Sequence, residues 1–138
     1  MLFRSGIRLE THLTEAFVEA DKDSMVIILV NLMDNAIKYN KTNGSIFIRN
    51  YLMGNRVIIE ISDTGIGIPQ EVAEKIFEPF YTVDKNRSRQ NGGAGLGLSL
   101  AKKHAEAQGG SIALVKTSRE GTQFQVSFPA YEATETKK

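Results

Sequence analysis

The sequence contains no cysteine, which excludes disulfides, thiol catalysis and thiolate metal sites and fits a reducing compartment. It also lacks an excess of charge, because 17 Lys and Arg residues stand against 16 Asp and Glu residues, a net charge of +1. Such a balance gives no general attraction to nucleic acid or acidic lipid, so any anion site must be local. No apolar run approaches the roughly 18 residues of a membrane span, and no signal peptide is visible. We therefore expect a cytoplasmic chain with neither nucleic acid nor membrane as a partner.

The length and composition of the chain are those of one globular domain. Its 138 residues are 41% hydrophobic and 24% charged, which is enough to bury a core and too little for two well-cored domains. We expect a flexible start over residues 1–6, one domain over 7–129 and a disordered tail over 130–138.

Hydrophobic periodicity predicts five strands and three helices. The predicted strands are 7–13, 45–52, 56–62, 111–116 and 122–128, and the predicted helices are 24–39, 70–77 and 96–108, with Asp23 and Ser24 as candidate caps. Strands that arrive mainly as hairpins favour an α/β two-layer sandwich, with a mixed, mainly antiparallel sheet and helices on one face. Residues 79–95 show no periodicity and predict a long loop, a feature that usually has a function in compact domains.

Nine of the twelve glycines lie between Gly65 and Gly121, clustered at the predicted element boundaries. The first cluster is DTGIGI at 63–68, directly after a predicted strand. Glycine allows a ligand to lie against such a turn, and Asp63 supplies an acceptor at the end of the strand. A glycine-rich turn with a solvated aspartate explains this cluster alone equally well.

The second cluster is GGAGLGL at 92–98, directly before a predicted helix. Free N–H groups and the helix dipole favour phosphate at such a helix start. The motif is not a Walker A loop, because no Gly-Lys-Ser/Thr follows, and it lacks the spacing and the preceding strand of a Rossmann motif. A flexible hinge is an equally good explanation of this run alone.

Polar residues on the first predicted helix and basic residues in the long loop suit a metal-bound polyphosphate. Asn31, Asn35 and Lys38 are spaced by four and three, so they share one helix face. Mg²⁺ keeps much of its shell as water and substrate phosphate, so one or two amide oxygens are enough. Taken alone, a solvated helix face is the more common explanation. The loop adds basic residues at alternate positions, which are Lys85, Arg87 and Arg89, and the conjunction of all four features favours a nucleotide site.

These residues resemble the ATP-binding catalytic domain of bacterial sensor histidine kinases, in the superfamily that includes DNA gyrase B, a heat-shock chaperone and a mismatch-repair ATPase. Five boxes occur in the family's order. They are NLMDNAIKY at 31–39 (N box), DTGIGI at 63–68 (first G box), FEPF at 77–80 (F box), GAGLGL at 93–98 (second G box) and Gly121-Thr122 with Phe124 (third G box). The resemblance implies a Bergerat-type α/β sandwich with ATP and Mg²⁺ as cofactors and the long loop as an ATP lid.

The resemblance also implies roles for single residues. Asn35 is implied as the Mg²⁺ ligand with Asn31 beside it, Lys38 approaches the phosphates, and Tyr39 lies against the adenine. Asp63 accepts from the adenine amino group. The other implied positions are Gly65 and Gly67 for close approach of the base, Gly93, Gly95 and Gly97 for the lid hinge, Lys85 and Arg87 for phosphate, Thr122 for support of Asp63 by its hydroxyl or a water, and Ile68, Leu96 and Leu98 in the boxes. Asn31, Lys38 and Arg87 are the catalytic candidates.

Two departures from the family pattern bear on partners. A basic residue common after the second F box phenylalanine is here Thr82, so Lys85 or Arg87 would have to supply that charge. The family's phosphoacceptor histidine is missing, since His12 lies in a predicted strand and His104 in a predicted helix. The resemblance thus implies a catalytic half that acts on a helical dimerisation and phosphoacceptor domain of the same parent, and indirectly on a response regulator. The parent would be cytoplasmic or a membrane-bound sensor with this domain in the cytoplasm.

The residue at position 31 separates the possible activities. Hydrolysing members of the superfamily place a glutamate there to activate water, and an amide cannot take up a proton at neutral pH. Asn31 therefore favours a protein-histidine kinase, which transfers the γ-phosphoryl group to an external nucleophile. Two alternatives remain open from the sequence: a nucleotide-sensing module without transfer activity, and an anti-sigma serine kinase or ATPase of the same superfamily.

Overall fold

The computed structural model describes residues 6–78 and 97–131. Within these ranges the chain forms, in order, β1 (Arg8–His12), α1 (Lys22–Lys38), β2 (Ser45–Met53), β3 (Arg56–Asp63), a 3₁₀-helix (Gln70–Lys75), α2 (Gly97–Ala107), β4 (Ser111–Ser118) and β5 (Gly121–Pro129). The expected order of elements is confirmed. The predicted loop 79–95 lies outside the described residues.

The strands form one mixed sheet in the order β1-β2-β3-β5-β4. β1 runs parallel to β2, because α1 lies between them in the chain, and the other three pairings are antiparallel. The β2–β3 hairpin turns at Gly54, whose φ of 64° is a conformation that glycine adopts at little cost. The predicted mixed, mainly antiparallel sheet is confirmed.

The helices cover one face of this sheet and build the core with it. In α1, Ile28, Leu32 and Ala36 are buried at steps of four, as an amphipathic helix requires. They join one cluster with Ala101 and Ala105 of α2 and with strand residues, namely Ile46, Ile61, Ile112, Phe124, Val126 and Phe128. No helix in residues 6–78 and 97–131 is long and apolar enough to cross a membrane.

Several element ends differ from the prediction. The cap of α1 is Asp21, whose carboxylate accepts from the Ser24 N–H at 2.9 Å, so the helix begins two residues before the predicted start at Ser24. The predicted helix 70–77 is a 3₁₀-helix, Gln70–Lys75, without a side-chain cap at Pro69, which fits the instability of so short an α-helix. The ordered backbone also continues beyond Pro129, the last residue of the predicted domain, because the Tyr131 N–H donates to the Phe17 carbonyl.

The other face of the sheet carries a buried charge, Glu60. Strand side chains alternate, so Glu60 faces away from the side on which Ile59 and Ile61 join the core. Its Oε1 lies 2.6 Å from Arg49 Nε, and its Oε2 accepts from the Tyr51 hydroxyl at 2.8 Å. Burial opposes ionisation of Glu60, but the hydrogen bonds from Arg49 and Tyr51 outweigh it, so the pKa of Glu60 lies below its ordinary value.

The lowered pKa of Glu60 makes the stability of this cluster depend on pH. Its contribution is present above the unfolded-state pKa of glutamate and is lost as the pH falls through the lower folded-state value. We expect Tyr51→Phe to lower the free energy of unfolding by about 1 kcal/mol at pH 7 and by less as the pH is lowered towards about 2.5. Urea unfolding across this range measures the difference, with Tyr131→Phe as the control. A difference that does not change with pH would contradict the assignment.

Candidate functional site

The polar face of α1 is held in a defined orientation. Asn31, Asn35 and Lys38 are each half-buried, because they flank the stripe of α1 that forms the core. The Asn31 amide nitrogen donates to the Ile27 carbonyl at 2.8 Å, which fixes its Oδ1 on the other side. A Cβ atom at Gly97, the first residue of α2, would lie 3.1 Å from that oxygen. The start of α2 and the N box therefore meet at Asn31.

Asn35 and Lys38 differ in how they are held. The Asn35 side chain makes no hydrogen bond with residues 6–78 or 97–131, so its amide oxygen is available to a ligand. Lys38 Nζ lies 3.2 Å from Asp34 Oδ2, and the Asp34 side chain is 56% exposed. An exposed carboxylate partner binds an ammonium group weakly.

Asp63 is the half-buried acid at the end of β3. Its Oδ1 accepts from the backbone N–H groups of Gly65, at 2.8 Å, and Thr122, at 3.3 Å. Its Oδ2 has no hydrogen-bond partner within residues 6–78 and 97–131. Burial raises the pKa of Asp63, and the two N–H donors oppose this. One carboxylate oxygen is thus used to position the group, and the other is left to bind a ligand.

The turn after Asp63 packs tightly on the protein's own backbone. A Cβ at Gly65 would lie 2.2 Å from the Tyr39 carbonyl oxygen, which also accepts from the Ile66 N–H. Gly67 has a φ of 83°, and a Cβ there would lie 2.0 Å from the Ser118 carbonyl oxygen. Both glycines are therefore required by the fold, and close approach of a base to them stays a prediction.

Thr122 supports Asp63 differently from the prediction. It donates its backbone N–H to Asp63, while its hydroxyl oxygen lies 2.9 Å from that of Thr117. Thr117 in turn accepts from the Ile68 N–H at 2.7 Å. Thr117 is not among the predicted site residues, because the sequence pattern predicts a turn there and the partner of Thr117 is set by strand pairing.

A second missed group fixes the C-terminal end of α1. Asn40 is 8% exposed, and its side chain donates to the Ser45 carbonyl at 3.0 Å. The Thr64 hydroxyl donates to Asn40 Oδ1 at 3.1 Å and accepts from the Ser45 N–H at 2.8 Å. These contacts tie the N box, the start of β2 and the first G box together. Nothing in the sequence pattern distinguishes them from ordinary turn residues.

The other predicted site residues are placed as follows. Ile68 and Leu98 pack against the core, as does Phe77 of the F box, whose ring lies 6.1 Å from that of Phe124. His104 lies 3.0 Å from the Ser24 hydroxyl, a contact that supports a structural role. Predicted positions outside the described residues are Phe80, Thr82, Lys85, Arg87, Arg89, Gly93, Gly95 and Leu96. Residues 6–78 and 97–131 hold no group of three or more His, Asp or Glu side chains suited to a metal.

The comparisons with known proteins agree on one family. Residues 20–132 match the model described as histidine kinase-, DNA gyrase B- and HSP90-like ATPase. The chain is 41% identical over 110 residues to the circadian input-output histidine kinase CikA of Synechococcus elongatus, covering 80% of this chain and 15% of CikA. It is 49% identical over 96 residues to the signal transduction histidine-protein kinase ArlS of Staphylococcus aureus, covering 70% of this chain and 21% of ArlS. It thus spans less than a quarter of these relatives.

Solved structures show the same similarity in three dimensions. The mycobacterial sensor histidine kinase MprB superposes with a TM-score of 0.80 at 26% identity, over 92% of this chain and 84% of that one. The catalytic domain of histidine kinase ThkA gives a TM-score of 0.72 at 35% identity, over 89% and 77%. The resemblance to sensor histidine kinase ATP-binding domains is confirmed, and the chain belongs to the family of histidine kinase-, DNA gyrase B- and HSP90-like ATPases.

Proposed function

We propose that the chain is the catalytic part of a two-component sensor histidine kinase, which binds Mg-ATP and donates the γ-phosphoryl group to a histidine on a separate helical domain. The observation that carries the proposal is the Asp63 carboxylate. Two backbone N–H groups hold its Oδ1, and the turn that follows is bonded to the end of α1 through Tyr39. The unused carboxylate oxygen of Asp63 suits the amino group of adenine. The amide side chains of the adjacent helix α1 suit the phosphate end of the nucleotide.

The hydrogen bonding and chemistry of Asn31 support phosphoryl transfer to another group over hydrolysis of ATP. Its amide donates to a carbonyl of its own helix, and an amide has no basic site with which to activate water. The chain's contribution to phosphoryl transfer is then positioning and neutralisation of charge. Lys38 supplies the positive charge in this proposal, with Arg87 and Lys85 of the lid as further candidates.

The residues present fit a magnesium ion, which would neutralise the phosphate charge. Asn35 would supply the protein ligand through its amide oxygen, with Asn31 beside it. A site with so few protein oxygens is typical of Mg²⁺, which keeps water and substrate phosphate in its shell.

Asn35→Ala is expected to lose the gain in ATP affinity that Mg²⁺ gives the unchanged chain, while metal-free ADP binding stays within about twofold. The reason is that this change removes an amide oxygen and leaves the adenine contacts intact. Calorimetric titrations with and without Mg²⁺ test it. Asn55→Ala, in the exposed β2–β3 turn, is the control and should keep the full gain. An Asn35→Ala chain with an undiminished Mg²⁺ effect would remove Asn35 from the metal site.

The kinase activity itself requires the partner that this chain does not supply. We propose a helical dimerisation and phosphoacceptor domain of the same parent as that partner, a response regulator as the next acceptor, and a cytoplasmic location for residues 7–129. ThkA has been solved in complex with the response regulator TrrA. Incubation with γ-labelled ATP should give acid-labile label on the longer parent protein and none on this chain alone. Label on this chain alone would make His12 or His104 an acceptor and contradict the proposal.

A further inference from the structure

A cleft lies beside the end of β1, where that strand stops and β2 continues to Met53. Its volume is about 800 Å³, within the range of about 300–1,000 Å³ that is typical of small-ligand sites. The lining residues come from β1, the segment after it and β2, and they are Thr11, His12, Leu13, Thr14, Arg49, Asn50 and Tyr51. Among these described residues none is acidic, and Arg49 and His12 are the two that can carry a positive charge. The cleft therefore suits an anion.

Arg49 is held in a fixed orientation with most of its hydrogen-bond donors unused. Its Nε lies 2.6 Å from Glu60 Oε1, and its guanidinium carbon lies 5.1 Å from the centre of the Tyr51 ring. A guanidinium group carries five N–H donors, and the four on its two terminal nitrogens have no acceptor within residues 6–78 and 97–131. Because the Arg49 side chain is 61% exposed, a ligand can reach these donors.

His12 brings a further donor to the same side of the sheet. It is the register partner of Arg49 in the parallel β1–β2 pair, so both side chains point to the face that the helices leave uncovered. The ring nitrogens of His12 have no hydrogen-bond partner in the described part of the chain, and a neutral imidazole donates one N–H. The segment after β1 is fixed by Asn50, whose side chain accepts from the Thr14 N–H at 2.9 Å and donates to the Thr14 carbonyl at 3.0 Å.

We propose that this cleft binds the phosphate group of a small molecule, at a site separate from the proposed ATP site. The two terminal nitrogens of Arg49 match two oxygens of a phosphate group, and the His12 N–H donates to the third. A carboxylate lacks a third oxygen for His12. Asp63 is three positions after Glu60 in β3, so its side chain faces the opposite, helix-covered side of the sheet. The two sites therefore do not overlap.

Inorganic phosphate is the first probe of the cleft. Added at constant ionic strength to the ¹⁵N-labelled chain, it should shift the backbone amide signals of residues 12–14 and 49–51 until they saturate. Glycerol 3-phosphate keeps three terminal phosphate oxygens and should bind at least as tightly, and failure of this ester to bind would overturn the proposal. Acetate should bind about tenfold more weakly, because it loses the hydrogen bond from His12.

Variants of the two cationic residues test the contacts singly. Arg49→Gln removes the guanidinium group but can still donate to Glu60, and it should weaken phosphate binding about tenfold or more. His12→Ala leaves the Arg49–Glu60 pair intact and should weaken phosphate binding about fivefold, so it decides the question if Arg49→Gln folds poorly. Arg8→Gln makes the same change of charge at the other end of β1, where Arg8 is exposed, and is the matched control with an unchanged affinity.

Three results would each overturn the proposal. The first is a set of phosphate-induced shifts confined to other parts of the chain, such as the N box. The second is binding of acetate as tight as that of phosphate. The third is a phosphate affinity that neither Arg49→Gln nor His12→Ala lowers relative to Arg8→Gln.

Discussion

Asp63→Asn is expected to bind ATP about ten- to hundredfold more weakly, the cost of losing a hydrogen bond to a charged acceptor in a partly buried site. The structure defines which way the new amide would point. The N–H groups of Gly65 and Thr122 both donate to Oδ1, so the amide oxygen should stay on that side. The amide nitrogen would then replace Oδ2 and set its two protons against the adenine amino group.

The same orientation predicts the response to GTP. Guanine presents a carbonyl oxygen where adenine has its amino group, so the amide that Asp63→Asn introduces could donate to that oxygen. The ratio of ATP affinity to GTP affinity should therefore fall by more than the weaker binding of ATP alone would cause, because GTP also gains a hydrogen bond. Dissociation constants for both nucleotides on both chains measure this, with thermal unfolding as a control for folding. An unchanged preference would mean that Asp63 does not recognise the base.

Much of the fold could be predicted from the sequence because its elements are strongly periodic. The stripe of Ile28, Leu32 and Ala36 defined α1, and alternation defined the strands on each side of the β2–β3 turn. Exact ends were less predictable, because they depend on contacts that periodicity does not contain. Asp21 caps α1 through a carboxylate contact with Ser24, and β4 continues to Ser118 because its last residues pair with β5.

The candidate site likewise contains residues that the sequence predicts and residues that it does not. Asn31, Asn35 and Asp63 were identified because motif and spacing mark them directly. Thr117 and Asn40 were missed because each acts through a partner distant in the chain or set by strand register, so no local pattern reveals the contact. The positions of these supporting groups follow only from the assembled sheet.

The glycines of the first G box were predicted for a ligand, yet the structure also explains them by contacts within the protein. At Gly65 the neighbour is the Tyr39 carbonyl at the end of α1, and at Gly67 it is the Ser118 carbonyl at the end of β4. These two contacts fix the turn between the helix and the β4–β5 hairpin. Any side chain there would move the turn that positions Asp63, so the fold and the site depend on the same glycines.

Gly67→Ala is accordingly expected to lower the free energy of unfolding by about 3 kcal/mol or more, a loss of roughly 10 °C in melting temperature. Two causes add up: alanine is strained at a φ of 83°, and its Cβ would lie 2.0 Å from the Ser118 carbonyl oxygen. Gly54→Ala separates the two causes, because Gly54 has a φ of 64° and a Cβ there would have no neighbour within 4 Å among residues 6–78 and 97–131, apart from Gly54 itself and the two residues next to it in the chain. In this control the free energy of unfolding should fall by only about 1 kcal/mol, which is the cost of the backbone strain alone. Equal losses in the two variants, measured by thermal and urea unfolding, would show that the contact between Gly67 and β4 does not fix the turn.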